Sequence, residues 1–182
     1  KKIESLIKHL RPILEDYYDM ISNDQIFIKR TKDIGIISKE LVQESGGSGP
    51  VSRGSGINFD LRKNKPYECY KEFDFDIPIG KNGDAYDRTL VRMKENVESL
   101  RIVEQIIEGL PSGDLSTRKP LKSAKLTRPP KGSSYFSVES PRGELGFFIV
   151  SDGSSIPYRM KIRAPSFSNL SIIEKLLPGT YF

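Results

Sequence analysis

Tryptophan is absent from this chain, and cysteine and histidine occur once each, as Cys69 and His9. A lone cysteine excludes an internal disulfide framework, and one cysteine with one histidine cannot make a self-contained Cys/His metal site. The same scarcity excludes Ser-His-Asp and Cys-His arrangements, because His9 lies near the N-terminus and no nucleophile elbow is present. No run of about 18 apolar residues occurs, so no segment is expected to span a bilayer, and "KKIESLIKHL" lacks the apolar centre of a secretory signal. Neither a catalytic carboxylate pair nor a dinucleotide fingerprint stands out. On site chemistry alone the chain reads as a helical domain with a small sheet that packs on partners, and not as a free-standing enzyme.

What is present supports one core. With 182 residues and 36% hydrophobic content, the chain is expected to form a single domain over residues 1–182. Its 29 basic and 24 acidic residues give a formal charge of +5, but the two signs are mixed, as on an ordinary solvated surface. The exception is "LSTRKPLKSAKLTRPPKG", residues 115–132, where six cations fall among Pro, Ser and Thr without one acid. This composition predicts a flexible connector.

The periodicity predicts an α+β fold, mainly helical. Apolar residues at spacings of three and four from Ile3 to Ile21 predict an amphipathic helix that Pro12 kinks or splits in two. Ser22-Asn23-Asp24 offers capping groups for a short helix through Lys29, and Ser38 is placed to cap another through Val42. "ESGGSGPVSRGSGINFD" lacks the spacing of a phosphate loop and reads as a turn that lets backbones approach closely. Within it, Arg53 is expected to face solvent, with a buried or interfacial ion pair as the less favoured reading. "KEFDFDIPIG" reads as a half-buried extended segment that Pro78 keeps from being a central strand. One long helix, about 84–110, should follow, with Asp84 at its N-cap. "YFSVES", "ELGFFIVSD" and "IPYRMKIRA" then read as an antiparallel meander over about 135–164, with Phe147-Phe148-Ile149-Val150 as a buried strand. A last helix is expected from Leu170 to Leu177. Arg142 lies in the turn leading into the apolar run; its bland reading is a pair with Glu144 or Glu139 that stabilises the turn.

Three stretches carry more. "RGSGINFDLRKNKPY", "FDFDIPIGKNGDAYDRTLVRMKENVESLRIVEQ" and "SPRGELGFFIVSDGSSIPYRMKIRAPSF" closely resemble the D-subunit family of proton-pumping NADH-quinone oxidoreductase, respiratory complex I, its hydrogenase-large-subunit-like component. The resemblance runs in order from about residue 2 to residue 182. It implies a peripheral-arm subunit on the cytoplasmic face of the bacterial inner membrane, or the matrix face in mitochondria. Such a subunit encloses the quinone-reduction cavity together with the neighbouring iron-sulfur subunit and couples it to proton translocation. The family's Arg-Gly-Glu-Leu-Gly motif is met by Arg142-Gly143-Glu144-Leu145-Gly146, so the resemblance implies an electrostatic role for Arg142 beside that cavity. It implies no catalytic, cofactor or metal residue in this chain; quinone, FMN and iron-sulfur clusters belong to the parent complex.

The departures set further expectations. The family's quinone-headgroup residues and the histidine that approaches the terminal cluster have no counterpart here, so the chain reads as a central fragment, inactive alone and prone to self-association. The stretch before "RPPKG" is shorter than the family's, through deletion or omission. The alternatives are a hydrogenase-like subunit of a related membrane-bound complex and a basic RNA- or lipid-binding module using "TRKPLKSAKLTR" and "YRMKIR". Nucleic acid is not expected as a partner.

Overall fold

The computed structural model describes residues 2–113 and 128–179. It is an α+β fold built around one long helix. The helices are α1 (Lys2–Asn23), α2 (Gln25–Thr31), α3 (Lys39–Glu44), α4 (Pro50–Gly54), α5 (Leu61–Asn64), α6 (Ala85–Gly109), α7 (Pro165–Leu170) and α8 (Ile173–Leu176). A 3-10 turn occupies Tyr70–Glu72, and β1 (Gly132–Ser140), β2 (Gly143–Ser151) and β3 (Arg159–Arg163) form one antiparallel sheet in the order β1-β2-β3. Residues 115–127 of the expected basic connector, 115–132, lie outside the described residues.

Helix α6 is the spine, and its start is fixed by Asp84. This fully buried side chain accepts the backbone N–H of Asp87 at 2.7 Å and, from the preceding turn, that of Asp33 at 2.9 Å. One carboxylate thus caps the helix and ties the 31–34 turn to it. Helix α1 packs along α6 through buried Ile7, an Arg11–Glu104 ion pair and a Tyr86 hydroxyl that donates to the Ser22 carbonyl. Of the two outcomes expected at Pro12, the split into two helices does not occur: the helix runs unbroken from Lys2 to Asn23. A proline removes one intrahelical bond, and packing against α6 on both sides of Pro12 holds the rest. Of the expected Ser22-Asn23-Asp24 capping groups Asp24 caps α2, and Ser38 caps α3 as expected.

The "KEFDFDIPIG" segment joins no sheet. It runs half-buried beside α6, where side chains replace a neighbouring strand: Gln105 accepts from the N–H of Asp74, Glu98 from that of Asp76, and Asp87 from those of Lys81 and Asn82. Its one fully buried side chain, Phe75, anchors it. A second core cluster of Ile37, Val42 and Ile172 joins α3 to the C-terminal helices. There the expected helix from Leu170 to Leu177 is the shorter α8, and a separate short helix, α7, precedes it and ends at Leu170. Pro165 starts α7, and the hydroxyl of Ser171 lies 2.7 Å from the Ser168 carbonyl and 3.1 Å from that of Ser45, either of which can accept its one hydrogen, at the break between the helices.

The expected antiparallel meander forms, but its apolar run is not buried. Phe136, Phe147 and Ile162 align across the three strands, as do Ser134, Ile149 and Met160. On this shared face Phe136 is 59% exposed, Phe147 38% and Met160 54%. The helices meet the sheet at its other end, around Gly143, so alternation selected a face that the described residues leave largely open. Among the described residues no helix is long and apolar enough to cross a membrane.

Candidate functional site

The glycine-rich stretch carries the site into place. Gly49 and Gly143 both hold positive φ, and a Cβ at Gly49 would fall 2.4 Å from the Gly143 Cα. Two backbones therefore touch, which docks the β1–β2 turn on the start of α4. Asn169 locks the contact, accepting from the N–H of Ser48 at 3.0 Å and donating to the Arg142 carbonyl at 3.2 Å. The turn expected over this stretch contains a helix, α4, and Pro50 at its first position is a signal that the sequence reading passed over.

Helix α4 aims Arg53 inward. Its expected solvent position is wrong: the residue is 2% exposed. Nε donates to Glu95 of α6 at 2.6 Å, while Nη1 donates to Glu139 of β1 at 2.9 Å and to the Phe59 carbonyl at 3.1 Å. Asp60, the N-cap of α5, lies 3.4 Å from the same Nη1 and accepts Nε and Nη2 of Arg62 at 3.0 and 2.8 Å. One guanidinium thus joins α4, α5, α6 and β1 through three carboxylates, and the desolvation of so many charges is tolerable only because every one is paired. Among the described residues no buried side-chain polar atom lacks a hydrogen-bond partner.

The environment separates the acids. Burial pushes the Glu139 carboxyl above its ordinary range, with Asp60's charge adding to this and Arg53 opposing it. Burial also works on Asp60, but the side-chain and backbone N–H groups of Arg62, joined by Arg53, hold Asp60 below its ordinary range. For Arg53 burial disfavours the cation, yet Glu95 and Glu139 outweigh it and its pKa rises.

Above this network opens a cleft of about 580 Å³, lined by Arg53, Arg62, Arg92, Glu95, Glu139 and Arg142 with Tyr70 on one wall. Arg142, the residue singled out from sequence, is exposed at its lip. Neither Glu139 nor Glu144 pairs with it: Glu139 belongs to Arg53, and Glu144 lies 3.5 Å from Arg163 and accepts from the Tyr135 hydroxyl. The turn is held instead by the close approach of Gly49 and Gly143 and by hydrogen bonds with the Asn169, Ser48 and Ser140 side chains. Sequence reading missed Asp60, Arg62, Arg92 and Glu95 as members of this site. They lie on separate short elements, and the contacts that unite them span as many as 86 residues. His9 and Cys69 are exposed, and among the described residues no cluster of His, Cys, Asp and Glu could hold a metal ion.

A family model for the "Respiratory-chain NADH dehydrogenase, 49 Kd subunit" matches residues 1–127 and 121–182. The chain belongs to this family. Relatives agree. It is 47% identical over 173 residues to the D-type subunit of the NADH-quinone oxidoreductase of Desulfotalea psychrophila, covering 95% of this chain and 46% of that protein. It is 46% identical over 180 residues to the corresponding D-type subunit of Bacillus cereus, covering 98% and 48%. The second-numbered D-type subunit of Solibacter usitatus is 42% identical over 179 residues, covering 98% and 47%. The chain spans about half the length of the curated relatives it matches. The two segments matched to the 49-kDa subunit family overlap inside the basic stretch, where the sequence looked short.

Proposed function

We propose that this chain forms one wall of the quinone-reduction cavity in an NADH-quinone oxidoreductase, with Arg142 as a fixed cation beside it. Family membership supports the complex, and the unpaired guanidinium at the cleft lip is the observation that favours this residue. Arg53 cannot play that part, since three carboxylates already compensate it. Arg142 has no ion-pair partner among the described residues, so its field is available to negative charge developing on a reduced quinone. Because an arginine keeps its proton, it acts by electrostatics and supplies no acid. In this reading FMN and the iron-sulfur clusters are held by other subunits, the iron-sulfur subunit next to the cavity is the main partner, and the assembly lies on the cytoplasmic face of the membrane. Quinone reduction there is coupled to proton translocation. The basic-module alternative gains little, because Arg163, one of the three cations of β3, is committed to the carbonyls of Glu144 and Gly46.

Arg142→Ala in the assembled complex is expected to lower NADH:quinone reductase activity about 10-fold or more, the scale for losing one electrostatic stabiliser of developing charge. Electron entry from NADH, measured with a hydrophilic acceptor such as ferricyanide, should stay unchanged. Assembly with a wild-type quinone rate would remove the role. The chain produced by itself is expected to catalyse no quinone reduction and to self-associate through the open sheet face of Phe136, Phe147 and Met160. Sedimentation velocity checks this: Phe147→Glu should shift the chain toward monomer, and a wild-type chain that is monomeric throughout contradicts it.

A further inference from the structure

The β1-β2-β3 sheet has two edges, and they are not alike. The outer side of β1 is met where it reaches the helices: the Tyr67 hydroxyl accepts the Glu139 N–H at 3.1 Å, and the Tyr67 ring stands edge-on to Phe136. The outer side of β3 has no such cover. Among the described residues the backbone of Arg159–Arg163 bonds only to β2, and residues 154–162 are exposed throughout. Nothing adjacent in the chain fills this edge, since residues 152–158 form the connection from β2 and α7 begins at Pro165.

The side chains of β3 carry a pattern that the sheet does not complete. On one face the rows Phe136–Phe147–Ile162 and Ser134–Ile149–Met160 cross the strands and stop at Ile162 and Met160, each more than half exposed. On the other face Arg159, Lys161 and Arg163 lie beside Val150, Phe148 and Gly146 of β2, none of them an acid. Arg163 turns back to Glu144 and the Gly46 carbonyl, whereas Arg159 and Lys161 have no ion-pair partner among the described residues. Opposite charges directly across a strand pair stabilise it, and only the open side of β3 is left for them. The same cations exclude a second copy at this edge: an antiparallel pairing centred on Lys161 would set Lys161 on Lys161 and Arg159 on Arg163. Charged edges guard against such pairing, and this guard discriminates by sign, repelling a copy and attracting an acidic strand.

We propose that the outer edge of β3 receives one extended segment of another subunit of the enzyme complex as a fourth strand, its acidic side chains facing Arg159 and Lys161 and its alternate apolar ones extending the rows of Met160 and Ile162. A strand of the same polypeptide would cover the edge as the chain folds, leaving nothing to guard. The cations suit an edge that stays open until a separate chain arrives. RNA or an anionic bilayer would call for a broader positive surface, and the rows beside these cations bear Ser133, Tyr135, Val150 and Phe148 instead. The proposal rests on membership in a multi-subunit enzyme and not on the quinone role of Arg142, because an unaltered quinone rate in Arg142→Ala would leave it standing.

The wild-type assembled complex, with the full-length protein, tests this without a substitution. A carbodiimide joins the Lys161 amine to a carboxylate in direct contact, and peptide mass spectrometry should recover Lys161 in amide linkage to an Asp or Glu of another subunit. Lys175 and Glu44, paired at 2.9 Å, serve as the internal link that shows the reagent at work. Arg159→Lys then reports the strand: side chains on one face recur every second residue, so its amine should link to an acid two positions from the first in the same segment. Hydrogen exchange on the wild-type complex gives a second reading that needs no variant. A β3 paired on both sides protects every amide from residue 160 to 163, whereas an open antiparallel edge protects alternate ones. Lys161 recovered free while the Lys175–Glu44 link forms, joined to its own polypeptide, or joined to a lipid or nucleic-acid phosphate overturns the proposal. So does a residue-159 link outside that segment, or alternate exchange along β3.

Discussion

Arg53→Met is expected to destabilise the chain by about 3–5 kcal/mol, the cost of removing one partner from a buried charge pair. The methionine fills much of the arginine's volume, so the loss is electrostatic and not a cavity. It leaves Glu95, Glu139 and Asp60 converging on an apolar side chain, with Asp60 and Glu139 almost wholly buried. Arg62 still satisfies Asp60, but among the described residues Glu139 keeps only the Leu61 N–H as a donor to its carboxylate. Against a typical total stability of about 5–15 kcal/mol, this approaches global unfolding. Urea denaturation followed by circular dichroism measures it. Adding Glu139→Gln to Arg53→Met should recover part of the loss, because an amide tolerates burial without a counter-charge. If Arg53→Met unfolds within about 0.5 kcal/mol of wild type, the typical scale of an inconsequential surface change, the network does not hold α4, α5, α6 and β1 together.

The second large effect is expected at Gly143. Its φ of 122° is one that residues with a Cβ rarely adopt, and an added Cβ would fall 2.5 Å from the Ser48 hydroxyl and 2.7 Å from the Ser48 carbonyl carbon. A hydroxyl can rotate away, but the backbone of Ser48 cannot, since its N–H is held by Asn169. Backbone strain of about 1–3 kcal/mol and overpacking of about 1–3 kcal/mol act together in Gly143→Ala. The turn bearing Arg142 must then lift off α4. The expected result is a loss of about 2–6 kcal/mol in chemical denaturation, the sum of those two ranges, and, in the assembled complex, lower quinone reduction with NADH oxidation by ferricyanide retained. Gly109→Ala is the control. Nothing approaches its Cβ position in α6, so helix propensity alone acts and stability should rise by up to about 1 kcal/mol. Equal behaviour of the two variants would show that the contact between Gly49 and Gly143 is dispensable.

Residue order was enough to define the individual elements. The spacing of apolar residues along α6, Asp84 before its first turn, and Asp24 and Ser38 before theirs are interactions between residues about four or fewer positions apart, so they are legible along the chain. Short turns between alternating runs likewise set the β1-β2-β3 meander. Motif resemblance placed the chain in its family, which the family model bears out.

Which way those elements face was settled only by their packing. Alternation in β2 shows that one face is apolar but not whether anything covers it, and the described residues leave Phe147 and Ile149 partly open. Arg53 and Arg142 look alike in sequence, each beside a glycine in a polar turn. One lies among three carboxylates from three other elements and the other stands at the lip above them without an ion-pair partner among the described residues. The difference comes from the close approach of Gly49 to Gly143, which joins residues almost a hundred positions apart. Charge burial depends on partners that far along the chain, and no local pattern encodes them.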